Sequence, residues 1–162
     1  MKIAVYPGSF DPITKGHLNI IQRAAAIFDK VYVCVMINST KQPMFSRDER
    51  VELIKKSCQD MPNVEVETFG GLLVDYAEQV GACAIVKGLR AVSDFDWEFQ
   101  MALANKKIKP EIETLFLASS EKHTYLSSTV VKELGKYGAE LDDFVPPEII
   151  DDVKTKIESG GV

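Results

Sequence analysis

Tyr6-Pro-Gly-Ser-Phe-Asp-Pro-Ile-Thr-Lys-Gly-His17 follows directly on the apolar run Lys2-Ile-Ala-Val-Tyr6. A short buried strand is expected over residues 3–6. It ends in a loop punctuated by glycine and proline, and a helix opens at the histidine. A helix start leaves backbone N–H groups unpaired and carries the positive end of the helix dipole, which suits it to phosphate. A hydroxyl at Ser9, a glycine at Gly16 that permits close backbone approach, and an imidazole at His17 together suit a polyphosphate.

Further along the chain the same unit repeats. Apolar, β-branched runs recur at residues 31–37, 64–69, 84–86 and 114–117, with helical spacing between them. Segment 17–28 sets Leu18, Ile21, Ala25 and Phe28 on one face. Segment 47–58 opens on Ser46-Arg-Asp-Glu49, a capping-box pattern that satisfies two free N–H groups. Segment 72–79 closes at Gly81, 94–108 stops before Pro110, 128–137 stops at Gly138, and 146–157 opens with prolines in its first turn. Strands alternating with helices through short connections imply an α/β fold: a Rossmann-like, doubly wound, parallel five-stranded sheet with helices on both faces. At 162 residues, a single domain over 1–162 is expected, with Ser159-Gly-Gly-Val162 frayed.

Composition narrows the partners. A net charge of −5 makes nucleic acid and anionic membranes poor partners, so any phosphate binding must come from a local basic cluster. No apolar run approaches the roughly 20 residues that span a bilayer. Cys34, Cys58 and Cys83 are scattered and odd in number, and no signal peptide precedes them. Reduced thiols in a soluble, cytoplasmic protein are therefore expected. Cys34 and Cys83, inside strand-like runs, read as core residues.

In a doubly wound sheet, ligands bind outside the carboxyl ends of the strands, where the strand order reverses. Residues just after strands 1, 2, 4 and 5 should therefore converge. These are Ser9, Phe10 and His17; Lys41 in Asn38-Ser-Thr-Lys-Gln-Pro43; Lys87 and Arg90 in Lys87-Gly-Leu-Arg90; and the hydroxyl-rich loop from Ser119 to Thr129. After strand 3, Gly70-Gly-Leu-Leu73 opens a helix. His17, Lys41, Lys87 and Arg90 form a cationic edge on an acidic chain, as a small anionic ligand requires. Taken singly, each has a plainer explanation. Lys41 reads as a solvated loop lysine, Ser127-Ser-Thr129 as an N-cap cluster worth about 1 kcal/mol, and Trp97 and Phe99 as packing residues. Lys87 and Arg90 resist this, because charges directly after a buried strand need a partner or an anion.

Several chemistries lose support. There is no GxxxxGK[ST] loop, no GxGxxG after a strand, no GxSxG elbow, and no cysteine–histidine grouping with zinc spacing.

Gly8-Ser-Phe-Asp-Pro-Ile-Thr-Lys-Gly-His17 and Leu126-Ser-Ser-Thr-Val-Val-Lys132 resemble the paired signatures of the nucleotidyltransferase superfamily. With Lys87-Gly-Leu-Arg-Ala-Val-Ser-Asp-Phe95 they are similar to the bacterial phosphopantetheine adenylyltransferase family, over residues 2–157. That resemblance implies adenylyl transfer from ATP to 4′-phosphopantetheine, giving dephospho-coenzyme A and pyrophosphate, the penultimate step of coenzyme A synthesis. It further implies a homohexamer and feedback by coenzyme A. By position it makes His17 the transition-state stabiliser, with Lys41 and Arg90 beside it in catalysis. Ser9, Phe10, His17, Gly88, Leu89, Arg90, Glu98, His123, Thr124, Tyr125, Leu126, Ser127, Ser128 and Thr129 match ATP positions, and Ser9, Lys41, Leu73 and Lys87 match acceptor positions. Ser9 replaces a frequent threonine and keeps the hydroxyl; Lys87 stands where some members have arginine, keeping the charge without the bidentate fork.

Such a reaction needs no protein nucleophile, since the attacking phosphate oxygen is already anionic. Mg²⁺, held by substrate phosphates and water rather than by protein ligands, would neutralise the leaving pyrophosphate. Two other readings compete. One is transfer to nicotinamide mononucleotide or a cytidylyl acceptor, whose enzymes usually show H-x-G-H where this chain has Thr14-Lys-Gly-His17. The other is a nucleotide sensor that has lost turnover.

Overall fold

The computed structural model describes residues 1–160, the side chains of Val92 and Ser93 excepted. Five parallel strands, β1 (Ile3–Gly8), β2 (Lys30–Met36), β3 (Val64–Phe69), β4 (Ala84–Leu89) and β5 (Glu113–Ala118), form one sheet in the order β3-β2-β1-β4-β5. Helices α1 (Lys15–Ile27), α2 (Arg47–Ser57), α3 (Leu73–Gln79) and α4 (Val92–Ile108) make the crossovers. Helices α5 (Ser128–Lys136) and α6 (Ile150–Glu158) follow the last strand. The final helical segment is divided: a 3₁₀ turn over Pro147–Ile149 precedes α6. Ser159 and Gly160 close α6 by donating their N–H groups to Thr155 and Ile157. Gly161 and Val162, the end of the tail expected to fray, lie outside the described residues.

Side chains alternate across the strands, and the alternation builds two cores. Ala4, Tyr6, Val31, Val33, Val35, Ala84 and Val86 face one side. There they meet Ile20, Ile21 and Ala24 of α1, Leu53 and Ile54 of α2, Val131 of α5 and Val153 of α6. Ile3, Val5, Cys34 and Ile85 face the other, against Val74, Tyr76 and Ala77 of α3. Burial pushes the Cys34 and Cys58 thiols up to about 12, Cys34 with a further push from the Glu67 carboxylate, so neither is a nucleophile at neutral pH. Cys83 corrects the sequence reading. It is exposed, in the turn just ahead of β4, with its thiol donating to the Ile3 carbonyl at 3.4 Å.

β1 lies between β2 and β4, so the order reverses there. β1 pairs with β2 along its whole length, from Ile3↔Lys30 to Gly8↔Val35. It pairs with β4 only at Ala4↔Ala84 and Val5↔Ile85. Beyond those pairs the two strands separate, and a crevice opens between their carboxyl ends.

Candidate active site

The loop after β1 turns at Phe10, whose φ of 49° places a non-glycine residue in the left-handed region. The turn sends the Phe10 ring inward, where it is buried edge-on between Tyr6 at 5.4 Å and His17 at 5.0 Å. Gly8 is required at this bend, because a Cβ there would stand 2.9 Å from the Phe10 ring.

α1 then starts with a capping box of unusual composition. Thr14 Oγ1 accepts the His17 N–H at 3.2 Å, and His17 Nδ1 accepts the Thr14 N–H at 3.0 Å. An accepting Nδ1 carries no proton, so the hydrogen-bond pattern assigns the ring's proton to Nε2. Burial, reinforced by the nearby charge of Arg90, pushes the His17 pKa down to about 4. The side chain is therefore neutral at pH 7 and offers one fixed Nε2–H donor. Direct consequences follow for acid stability. The unfolded chain binds a proton near pH 6.5 that the fold refuses until about 4, so stability contributed by neutral His17 is present above 6.5 and lost as pH falls toward 4. Nitrogen-15 chemical shifts of the ring should show the Nε2–H tautomer at pH 7 and a midpoint near 4. A midpoint above 6 would overturn the assignment.

A cleft of about 520 Å³ occupies the crevice. It brings together Ser9, Phe10, His17, Lys41, Lys87, Gly88, Arg90, Glu98, His123, Leu126, Ser127 and Ser128, residues that the sequence separates by up to 119 positions. Leu73 stands in an adjoining cavity of about 270 Å³, whose wall at Lys87, Trp97 and Glu98 is shared with the first. Leu89, Thr124, Tyr125 and Thr129 line neither. Gly16 and Ser119, from the loops expected to converge, also line the cleft, as do Tyr6, Thr14, Ile20, Asp94 and Trp97, which lie beyond the site residues named from the sequence. The Thr14–His17 spacing was the signal available for Thr14.

The cationic edge is partly neutralised by its own carboxylates. Lys87 pairs with Glu98 at 3.1 Å, and Arg90 Nε reaches Asp94 at 3.4 Å. Arg90 also donates from Nη1 to the Leu126 carbonyl at 2.8 Å, tying the end of β4 to the loop before α5. Lys41 makes no side-chain hydrogen bond or ion pair among the described residues, and its loop is turned by Asn38, whose Oδ1 accepts from the Thr40 N–H and hydroxyl at 3.0 and 2.7 Å. Ser127 caps α5 by accepting the Val130 N–H at 3.1 Å, as its N-cap reading anticipates. The close approach expected at Gly16 is not required by space: a Cβ there would meet Thr14 Oγ1, His123 and Leu126 at 3.4, 3.6 and 3.7 Å, ordinary contact distances.

Trp97 departs from its reading as a packing residue, being 63% exposed and in the wall of both cavities, whereas Phe99 packs against Phe95 with ring centroids 5.2 Å apart. α4 lies over β4 and β5 with much of its apolar surface uncovered, including Met101 and Leu103. No group of three His, Cys, Asp or Glu side chains comes together among the described residues. No helix among them is long and apolar enough to cross a membrane.

The fold and signatures have counterparts in known proteins. A solved bifunctional NMN adenylyltransferase/ADP ribose pyrophosphatase from Francisella tularensis superposes with a TM-score of 0.70 at 17% identity, over 99% of this chain and 50% of that one. This likeness establishes the architecture. Sequence relatives are much nearer. The phosphopantetheine adenylyltransferase of Caldanaerobacter subterraneus subsp. tengcongensis is 54% identical over 98% of this chain and 99% of its own. That of Desulforudis audaxviator is 57% identical over 90% of each. The cytidylyltransferase-like family model matches residues 5–134, from β1 into α5. On both the motif-bearing loops and the full-length identity, the chain belongs to the cytidylyltransferase-like nucleotidyltransferases and, among them, to the phosphopantetheine adenylyltransferase family.

Proposed function

We propose that this protein transfers the adenylyl group of ATP to 4′-phosphopantetheine, releasing pyrophosphate and forming dephospho-coenzyme A. The observation that carries this reading is the neutral, tethered Nε2–H of His17 in one crevice with Lys41, Lys87 and Arg90. A phosphate oxygen of the acceptor attacks the α-phosphorus, the new P–O bond forms, and the bond from the α-phosphorus to the β-bridging oxygen breaks. Both reactants are polyanions, so the protein's task is to hold them in line against their repulsion and to meet charge as it develops. His17 donates to a non-bridging oxygen of the α-phosphate from a position already fixed by Thr14. Arg90, with Ser127 and Ser128, flanks the nucleotide's phosphates, and Phe10, Gly88, Glu98, His123 and Leu126 bound the rest of ATP.

Lys41, Lys87 and Ser9 take the acceptor's phosphate. The second cavity, lined by Leu72, Leu73, Met101 and Ala102 next to Lys87, suits the long uncharged arm attached to that phosphate. The cleft's carboxylates, Asp94 and Glu98, are both engaged by cations, so Mg²⁺ fits here as a complex with the triphosphate and water. Bound in that way, it supplies charge neutralisation at the leaving pyrophosphate. Coenzyme A carries both halves of the product and would compete in the same cleft. The uncovered apolar side chains of α4 support association of copies, the homohexamer being the assembly implied by the resemblance.

Pyrophosphate release from ATP and Mg²⁺, with phosphopantetheine, nicotinamide mononucleotide or no acceptor in parallel, tests the reading. Release with phosphopantetheine alone is expected. Release with the mononucleotide alone would replace the acceptor, and ATP binding without release in any arm would favour a sensor.

A further inference from the structure

Asp11 is 6% exposed, yet its carboxylate is the meeting point of three segments that carry the site. Oδ2 accepts the Met44 N–H at 2.9 Å and Oδ1 the Phe45 N–H at 2.8 Å, both in the loop that bears Lys41. Lys132 of α5, the helix whose first turn borders the cleft, donates Nζ to Oδ2 at 3.1 Å. Next to it, Ser128 Oγ donates to the Pro12 carbonyl at 2.7 Å. Behind it, Arg50 of α2, itself 6% exposed, donates Nη1 to the Ser9 carbonyl at 2.9 Å and Nε to the Ser46 carbonyl at 3.4 Å. The loops after β1 and β2 and helix α5 thus converge on one buried carboxylate.

We propose that Asp11 is the positioning residue that sets where Lys41 stands relative to His17, and so governs affinity for the phosphorylated acceptor more than for ATP. A buried charge is a costly way to obtain stability alone, because apolar groups of the same volume commonly do as well or better. What the carboxylate supplies is direction. Two N–H donors on its two oxygens fix the orientation of the Met44–Phe45 backbone, whereas the buried Phe45 ring by itself fixes only depth. Between β2 and α2 the Lys41 loop is held by the Asn38 turn at one end and by Asp11 at the other. The acceptor side of this inference rests on the function proposed above; the loop side does not.

Asp11→Asn supplies a single acceptor oxygen and turns an NH₂ group toward a backbone N–H or the Lys132 ammonium. The double variant Asp11→Asn/Lys132→Met removes the stranded ammonium. Met44→Pro deletes one donor and leaves the carboxylate intact, which keeps the test open should Asp11→Asn fail to fold. In the two Asp11 variants, hydrogen exchange at Phe45 should accelerate about tenfold, as loss of a charge-assisted hydrogen bond allows, and in Met44→Pro it should accelerate by less, because the Phe45 bond loses only its neighbour. The KM for phosphopantetheine should rise about tenfold while that for ATP moves by about twofold or less, small loop displacements being enough for such losses. The double variant should regain thermal stability but not acceptor affinity. Unchanged exchange at Phe45, an acceptor KM restored in the double variant, or equal rises in both constants would each overturn the proposal. Exchange needs no turnover, so a native protein silent with phosphopantetheine would sink the functional reading and leave the exchange result to decide the clamp.

Discussion

His17→Ala should lower kcat by about 10²–10³ while leaving the dissociation constant for ATP nearly unchanged, the usual outcome when one preorganised transition-state donor is removed. The geometry explains the asymmetry. A neutral imidazole adds little to the attraction of a ground-state triphosphate, for which Arg90 and the lysines provide the charge. Its Nε2–H gains strength only as negative charge builds on the transferred group. The same substitution opens the Thr14–His17 capping box, which costs about 1 kcal/mol. In a domain of this size that shifts the melting temperature by about 2–4 °C, too little to explain a hundredfold loss of rate at an assay temperature well below the melt. Steady-state kinetics with calorimetric titration of ATP separates the two effects. A variant with intact kcat and weakened ATP binding would remove His17 from the chemistry.

Much of this arrangement was legible in the sequence because its signals are local. Most strands are apolar runs, β3 instead alternating Val64 and Val66 with Glu65 and Glu67, and most of the helices carry a start or stop within a residue or two of the observed end. Ser46-Arg-Asp-Glu49 forms the capping box that its spacing announces. Gly81 and Gly138 adopt positive φ just beyond α3 and α5. The rule that ligands sit at strand ends then gathered the site without knowledge of strand order, because every strand contributes its carboxyl end to the same edge.

What escaped was decided by tertiary partners. Asp11 finds donors 33, 34 and 121 residues away, and nothing in Phe-Asp-Pro marks it as a clamp. Arg50 sits among charged neighbours in its helix, and its buried partner is the Ser9 carbonyl 41 residues earlier. The apolar residues of α4 are spread around its circumference, so no periodicity separates the face on the sheet from the one left uncovered. Cys83 follows Gly81-Ala82 closely enough to belong to the turn rather than to β4. Site membership was clearest for side chains next to a strand end and weakest within 123–129, where the 3₁₀ turn Glu121–His123 rotates Thr124 and Tyr125 out of the cleft.

Arg90 separates charge from geometry. Arg90→Ala should reduce kcat/KM for ATP by about 10²-fold, and Arg90→Lys should recover only about a tenth of that loss. The guanidinium uses its planar fork to donate from Nη1 to the Leu126 carbonyl while Nε faces Asp94. An ammonium can satisfy one of these partners at a time. In the alanine variant the carbonyl of buried Leu126 loses its donor, a penalty of about 1–3 kcal/mol that falls on the segment leading into Ser127 and Ser128. Arg90 also contributes to the depressed pKa of His17, second to burial. The His17 midpoint should therefore rise in Arg90→Ala yet stay below 6.5, and should return toward its native value in Arg90→Lys, which restores the charge. Activity and titration thus move apart: the lysine variant recovers the electrostatics of His17 without recovering most of the rate. If kcat/KM in Arg90→Lys instead followed the His17 midpoint back to native values, Arg90 would act by charge alone and its hold on Leu126 would be incidental to the reaction.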